Sequence, residues 1–128
     1  MKKIALLIVA LFTMSTYSFG EDASVNTLNT VEKYEIKINH RSLSSALGLS
    51  RDQAEIAKDV MTEFENGMFF ASTMDNEESR KQVMSNVISN NIKYMHMFLS
   101  KKQYKAYLAL LNLTLSNRGF NVSDFSIH

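Results

Sequence analysis

The chain has 128 residues, 45% of them hydrophobic, with 14 Lys and Arg against 13 Asp and Glu and no Cys, Pro or Trp. That length sets one domain. The absence of Cys excludes disulfides, thiolate metal sites, a cysteine nucleophile and a lipid-anchored cysteine, and a near-neutral charge leaves no electrostatic footprint for a nucleic acid partner.

Residues 1–20 read as a signal peptide. Lys2 and Lys3 form a positive n-region, Ile4 to Phe12 an apolar h-region, and Ser18-Phe19-Gly20 a small-residue cleavage site. The apolar stretch is well short of the roughly 20 residues of a membrane span, and no second one follows, so no transmembrane segment is expected after cleavage. The expected destination is the periplasm or the cell exterior. Removing residues 1–20 of 128 leaves 108, with 12 basic and 13 acidic side chains and a formal charge of −1. A chain of that size buries only about 60 to 65% of its unfolded surface and needs good helix packing or a partner chain.

Residues 21–30 are polar, without an apolar period, and read as a flexible leader. From Val31 to Asn39, Tyr34, Ile36 and Ile38 alternate with Lys33, Glu35 and Lys37, the period-two pattern of a half-buried strand. Arg41 to Leu47, with Leu43, Ala46 and Leu47 on one side, predicts a short helix stopped by Gly48.

Leu49-Ser50-Arg51-Asp52-Gln53 then opens a long helix, and Leu99-Ser100-Lys101-Lys102-Gln103, fifty positions on, opens another. In each phrase the Ser hydroxyl can cap the N–H three residues on, the Gln side chain can reach back to the Ser N–H, and the leading Leu can staple onto Ala54 or Tyr104. The first helix carries Ala54, Ala57, Val60, Met61, Phe64 and Met68 at core spacing and ends near Gly67 or Ala71. Asp75, with Glu78 as its box partner, is the expected cap of the next helix, whose apolar face runs through Val83, Met84, Val87, Ile88, Ile92, Met95, Phe98 and Leu99. The last helix, Lys101 to about Ser116, presents Tyr104, Tyr107, Leu108, Leu111 and Leu115 and stops at Asn117-Arg118-Gly119. The fold class is therefore all-α. It is a three-helix or helical-hairpin bundle over 31–120, preceded by a short helix and one N-terminal β-strand, with 121–128 as a tail too poor in apolar residues to form an element.

The paired phrases, on Leu49, Ser50, Gln53, Leu99, Ser100 and Gln103, resemble the LTxxQ motif of the Spy and CpxP family of periplasmic proteins, with Ser where that family prefers Thr. The resemblance implies a helical hairpin within a cradle-shaped dimer, acting as an ATP-independent chaperone or a damper of envelope-stress signalling. The mature chain also resembles a group of small exported proteins of gut Bacteroidota. The shared residues are Tyr104, Tyr107, Leu110, Leu111, Asn112, Thr114, Leu115, Asn117, Arg118 and Gly119 in the same order.

Residue by residue, helix initiation accounts for both phrases without a binding role. Met95-His96-Met97 offers soft copper ligands, but neighbours on a helix point roughly 100° apart and do not converge on one ion, so no metal or cofactor is expected. Glu55, Asp59 and Glu63, with Arg51 and Lys58 among them, read as a solvated ion-pair face rather than acid/base machinery. No G-x-S-x-G, H-E-x-x-H or phosphate-loop phrase occurs, and His40 near Ser42, Ser44 and Ser45 lacks an orienting acid, so the protein is not expected to be an enzyme. The candidate interaction surface is Met68, Phe69 and Phe70, with Phe69 or Phe70 left on a loop if Gly67 ends the helix, together with Lys101, Lys102 and Lys105. Those cations oppose the dipole of their own helix start. Either the acidic face of the first long helix, packed antiparallel, or an acidic partner or anionic membrane surface would compensate them. The expected partners are protein clients, another protein, or a second copy in a homodimer.

Overall fold

The computed structural model describes residues 30–125; the signal-peptide reading, the leader up to residue 29 and the last three residues lie outside them. Five α-helices follow in order: α1 (Thr30–Tyr34), α2 (His40–Leu47), α3 (Arg51–Ser72), α4 (Glu77–Phe98) and α5 (Lys101–Asn117), then a 3₁₀ turn at Val122–Phe125. The all-α class stands, and Thr30, assigned to the leader, already opens α1.

The strand expected over 31–39 is absent among the described residues. Its alternation is nevertheless present: Tyr34, Ile36 and Ile38 are buried while Glu35, Lys37 and Asn39 are exposed. Period-two burial follows from any extended backbone laid on a surface. Here residues 35–39 lie on helices instead of on a second strand. The Ile38 N–H, which a strand would have paired in a ladder, donates to Glu65 Oε2 of α3 at 2.7 Å.

Local signals fix the helix ends. Asn39 accepts from the Ser42 N–H to start α2, and Gly48, at φ 67°, ends it. The Leu49 N–H reaches back to Ser44 O and the Gly48 N–H to Ser45 O, a Schellman stop that only glycine enters without strain. Asn76, not Asp75, caps α4, its side chain accepting from the Ser79 N–H at 2.7 Å. Glu77 and Glu78 then fall in the first turn, where the dipole favours them.

Helices α3 and α4 form an antiparallel hairpin, as the pairs Gln53 with Phe98, Met61 with Asn91 and Gly67 with Val87 show. Of the two ends expected for α3, Gly67 and Ala71, the second stands to within one residue: the helix continues through Phe69 and Phe70 to Ser72. A Cβ at Gly67 would lie 2.7 Å from Val87 Cγ2, so the missing side chain lets the two helices approach. Ala57, Met61, Phe64, Met68 and Ala71 of α3 meet Met84, Ile88 and Met95 of α4 in the core. Four methionines, Met61, Met68, Met84 and Met95, are at most 1% exposed; an unbranched thioether fills such irregular space well. Each fully buried side chain of this size contributes about 1.5 to 3 kcal/mol.

Helix α5 closes the core with Tyr107, Leu110, Leu111 and Leu115. The residues after it are anchored, contrary to the expectation of a free tail: Phe125 is buried, and the 3₁₀ turn packs on α4 and α5. Phe120 meets Tyr34 edge to face at 5.0 Å beneath the Lys33 ammonium. Arg118, largely buried, donates from Nη1 to Glu32 O at 2.7 Å. Burial holds its guanidinium below the usual arginine range, and Glu35 and Glu32 act against that shift.

Candidate functional site

Both Leu-Ser-x-x-Gln phrases form the capping boxes their residues dictate. Ser50 accepts from the Gln53 N–H and the Gln53 carboxamide accepts from the Ser50 N–H; Ser100 and Gln103 repeat this with the same distances, 3.1 and 2.9 Å. The two boxes also meet. Gln53 Nε2 donates to Gln103 Oε1 at 2.9 Å and to Phe98 O at 3.1 Å; Gln103 Nε2 donates to Gln53 Oε1 at 3.2 Å and to Gly48 O at 3.1 Å. Each carboxamide thus satisfies a carbonyl two residues ahead of the other helix's capping serine. The clasp ties the start of α3, the end of α4 and the start of α5 into one junction with local two-fold character. Leu49 is partly buried and Leu99 buried.

A second polar cluster lies deep between the three long helices. The Tyr107 hydroxyl donates to Asn91 Oδ1 in a short hydrogen bond, Asn91 Nδ2 faces Met61 Sδ at 3.5 Å, and the Tyr107 oxygen lies 3.3 Å from the same sulfur. Burial drives the Tyr107 pKa well above the usual phenol value, and the bond to Asn91 offsets only part of that shift. The hydroxyl is closed in on all sides and fixes the α5 register; it is not available to a substrate.

The expected interaction surface divides. Phe69 and Phe70 are 53% and 56% exposed, on the last turn of α3 and not on a loop. Met68 is wholly buried and leaves the surface, because a residue 100° round the helix from Phe69 faces α4. Lys101, Lys102 and Lys105 are exposed and form no ion pair among the described residues. The clasp sets the starts of α3 and α5 side by side, so the antiparallel arrangement expected to compensate those lysines does not occur. Glu55, Asp59 and Glu63 are exposed, and no ion pair with Arg51 or Lys58 is formed.

Met95, His96 and Met97 diverge: Met95 is buried, the His96 ring stands edge-on to Tyr104 at 4.6 Å, and Met97 is 72% exposed. No group of three metal-ligating side chains occurs among the described residues.

One apolar feature escapes a reading confined to the core face. Ile56, Tyr94 and Met97 are exposed along with Phe70. On α3 the row is Ile56, Val60, Glu63, Gly67, Phe70; on α4 it is Val83, Val87, Asn90, Tyr94, Met97. Both advance by four, three, four, three, one position ahead of the core rows. Where they run side by side they line a shallow groove of about 190 Å³ that holds Val60, Glu63, Val87, Asn90 and Tyr94. Each helix of the hairpin therefore has two seams, one packed into the core, α3 against α1 and α2 and α4 against α5, and one open. The open seam was legible as a four-three repeat displaced by one residue, but the stronger core repeat masks it.

No family model and no solved structure matches the chain. It is similar to the phosphonates import ATP-binding protein PhnC of Lactobacillus gasseri, at 31% identity over 108 residues covering 79% of this chain. The chain spans 38% of the length of that relative, and its 128 residues hold no G-x-x-x-x-G-K-[ST] phrase, the loop that cradles nucleotide phosphates.

No helix of the described residues is long and apolar enough to cross a membrane.

Proposed function

We propose that this is an exported, non-enzymatic helical protein that holds other polypeptides through the open face of the α3 and α4 hairpin. It acts as an ATP-independent periplasmic chaperone or envelope-stress protein of the Spy and CpxP type. The observation that carries the reading is the second apolar seam, with Ile56, Phe70, Tyr94 and Met97 exposed. Exposed apolar side chains in one tract, edged by charge, suit segments whose own apolar residues are uncovered. Asp59 lies along the α3 edge and Lys93 along the α4 edge, with Glu63 inside the seam, so clients of either sign can approach. The joining of the two Leu-Ser-x-x-Gln phrases supports the family analogy, since it makes them one structural unit.

The test is suppression of aggregation of a reduced, unfolded test protein at equimolar ratio without nucleotide. Protection that falls in Tyr94→Ser and Phe70→Ser supports the proposal; no protection by the intact protein refutes it. Export is checked separately, by finding Glu21 at the N-terminus of the protein recovered from the cell envelope or medium.

A second reading, a secreted module for one dedicated protein partner, is favoured by Phe69 and Phe70 standing together at the hairpin tip. A chain that leaves aggregation unchanged, yet loses a stoichiometric partner when Phe69 is changed to Ser, supports that reading over the first.

A further inference from the structure

We propose that the corner where α4 ends and α5 begins docks on an anionic lipid bilayer, with Lys93, Lys101, Lys102 and Lys105 in the headgroup layer and Met97 at the acyl boundary.

The charge of the chain is segregated. Residues 79–123 carry seven Lys and Arg and no Asp or Glu, whereas α3 carries five acids against Arg51 and Lys58. All of α5, and α4 beyond Glu78, are therefore free of negative side chains in a protein whose net charge is close to zero.

Folding concentrates that positive run at one corner. The His96 ring meets Tyr104, and Asn91 accepts from Tyr107, so α4 and α5 run antiparallel and Lys93 comes level with Lys105. At roughly 100° per residue, Lys101, Lys102 and Lys105 fall within about 100° of arc on the outer side of α5. Lys93 stands one turn before Met97 on the same stripe of α4. All four lysines are exposed, and none is ion-paired among the described residues. The first turn of α5 holds no acid, and the positive end of its dipole adds to the charge of its lysines. The acids of α3 do not balance them, since no ion pair joins the two helices among the described residues.

Two features favour a lipid surface over an acidic protein. The cations at the corner are all lysines. The planar fork of arginine suits a fixed carboxylate, while an ammonium on a flexible stem acts as a point charge for headgroups of no fixed geometry. The second feature is Met97, which at 72% has the highest exposure of the large apolar side chains described. It stands at the very end of α4, beside the lysines. An unbranched thioether can pass below the headgroups while the lysine stems reach back to them. Charge then sets the orientation, because the lysine corner is drawn to the surface and the acids of α3 are repelled from it.

Docking requires neither a client nor chaperone activity, and it is tested without either. The chain from Glu21, which holds every described residue, is mixed with vesicles of phosphatidylglycerol and phosphatidylethanolamine or with vesicles of phosphatidylcholine alone. Co-sedimentation with the anionic vesicles is expected at about 50 mM salt and is lost at about 500 mM, where screening shortens the reach of each charge. None is expected with phosphatidylcholine. A lysine at an anionic surface strengthens binding about fivefold. Lys101→Gln with Lys102→Gln should therefore weaken it about 25-fold, and all four Lys→Gln changes together by more than about 100-fold. Lys58→Gln, on α3, should leave it unchanged. The chain has no Trp, so Met97→Trp supplies a single reporter, whose emission is expected to shift to the blue on anionic vesicles. Unchanged helicity of each variant separates lost docking from lost folding. Absence of co-sedimentation at low salt overturns the proposal, as does binding indifferent to the four Lys→Gln changes. An unshifted emission of bound Met97→Trp overturns the apolar contact, and polyglutamate binding as tightly as the vesicles makes an acidic protein the occupant in place of the bilayer.

Discussion

Gln53 and Gln103, fifty residues apart, bind each other through both carboxamides while each still closes the capping box of its own helix. Each oxygen accepts twice and each Nε2 donates both to the other carboxamide and to backbone carbonyl oxygen, so removing one glutamine strips the other of a donor and an acceptor. Gln53→Ala and Gln103→Ala are each expected to cost about 1 to 3 kcal/mol, since partly buried groups lose their partners. Because the two act as a unit, the double variant should cost less than the sum of the singles, with a coupling of at least about 0.5 kcal/mol. Ser50→Ala and Ser100→Ala lose only a cap, about 1 kcal/mol each. Urea unfolding of the four single variants and the double variant checks all of this; strict additivity at Gln53 and Gln103 would mean that the clasp contributes nothing beyond two separate caps.

Glu65 and Ile38 make the comparable link for the N-terminal extended segment. The Ile38 N–H sits in the lee of three buried side chains and has one acceptor, the Glu65 carboxylate at 2.7 Å. Glu65→Ala leaves that amide without a partner, a loss of about 1 to 3 kcal/mol. Hydrogen exchange should show it locally, with the Ile38 amide losing protection while amides in the middle of α4 keep theirs. Equal acceleration everywhere would place Glu65 in the global core instead.

What was legible in the sequence and what was not follow from the range of the interactions. The Ser50 and Ser100 capping boxes, the Gly48 and Gly119 stops and the core rows of α3, α4 and α5 involve residues no more than a few positions apart, and they stand where their spacing puts them, whereas the cap expected at Asp75 falls one residue on, at Asn76. The meeting of Gln53 with Gln103 depends on tertiary packing, and nothing in either phrase encodes it. The alternation from Tyr34 to Ile38 reports burial on one side, which a strand and a strap share. Residues 121–128 carry too few apolar side chains to signal an element, yet the 3₁₀ turn delivers Phe125 to the core. Gly67 carries the sharpest ambiguity, since the same residue signals a helix stop or a close helix crossing; Val87 decides between them and lies on another helix.

Tyr107 makes stability depend on alkaline pH. Its pKa in the folded chain is raised above the ordinary value of 10.0 by burial. The folded state therefore holds the phenolic proton where the unfolded chain has begun to release it, and linkage favours unfolding as pH rises. The sign is as follows: the contribution is fully present below pH 10 and declines from there upward. Tyr107→Phe removes this dependence, so the difference in stability between the two proteins should shrink above pH 10. At neutral pH the same substitution strands Asn91 and should cost about 1 to 3 kcal/mol. Chemical denaturation at pH 7 and at two points above pH 10 checks both statements.

Gly67→Ala offers a test in which the usual helix rule and the packing predict opposite signs. In an unconstrained helix interior, alanine is favoured over glycine by about 1 kcal/mol. Here the added methyl would stand 2.7 Å from Val87 Cγ2 and 3.0 Å from its Cγ1, and Val87, branched at Cβ, has few rotamers in a helix by which to give way. Overpacking of this kind costs about 1 to 3 kcal/mol, so Gly67→Ala should lower the melting temperature despite its better helix propensity. Val87→Ala creates room at the same level of the hairpin. The pair Gly67→Ala with Val87→Ala should therefore be more stable than Val87→Ala alone, recovering the propensity gain once the clash is gone. If Gly67→Ala stabilises the parent protein, α3 and α4 do not approach as closely at this level as the contact with Val87 requires.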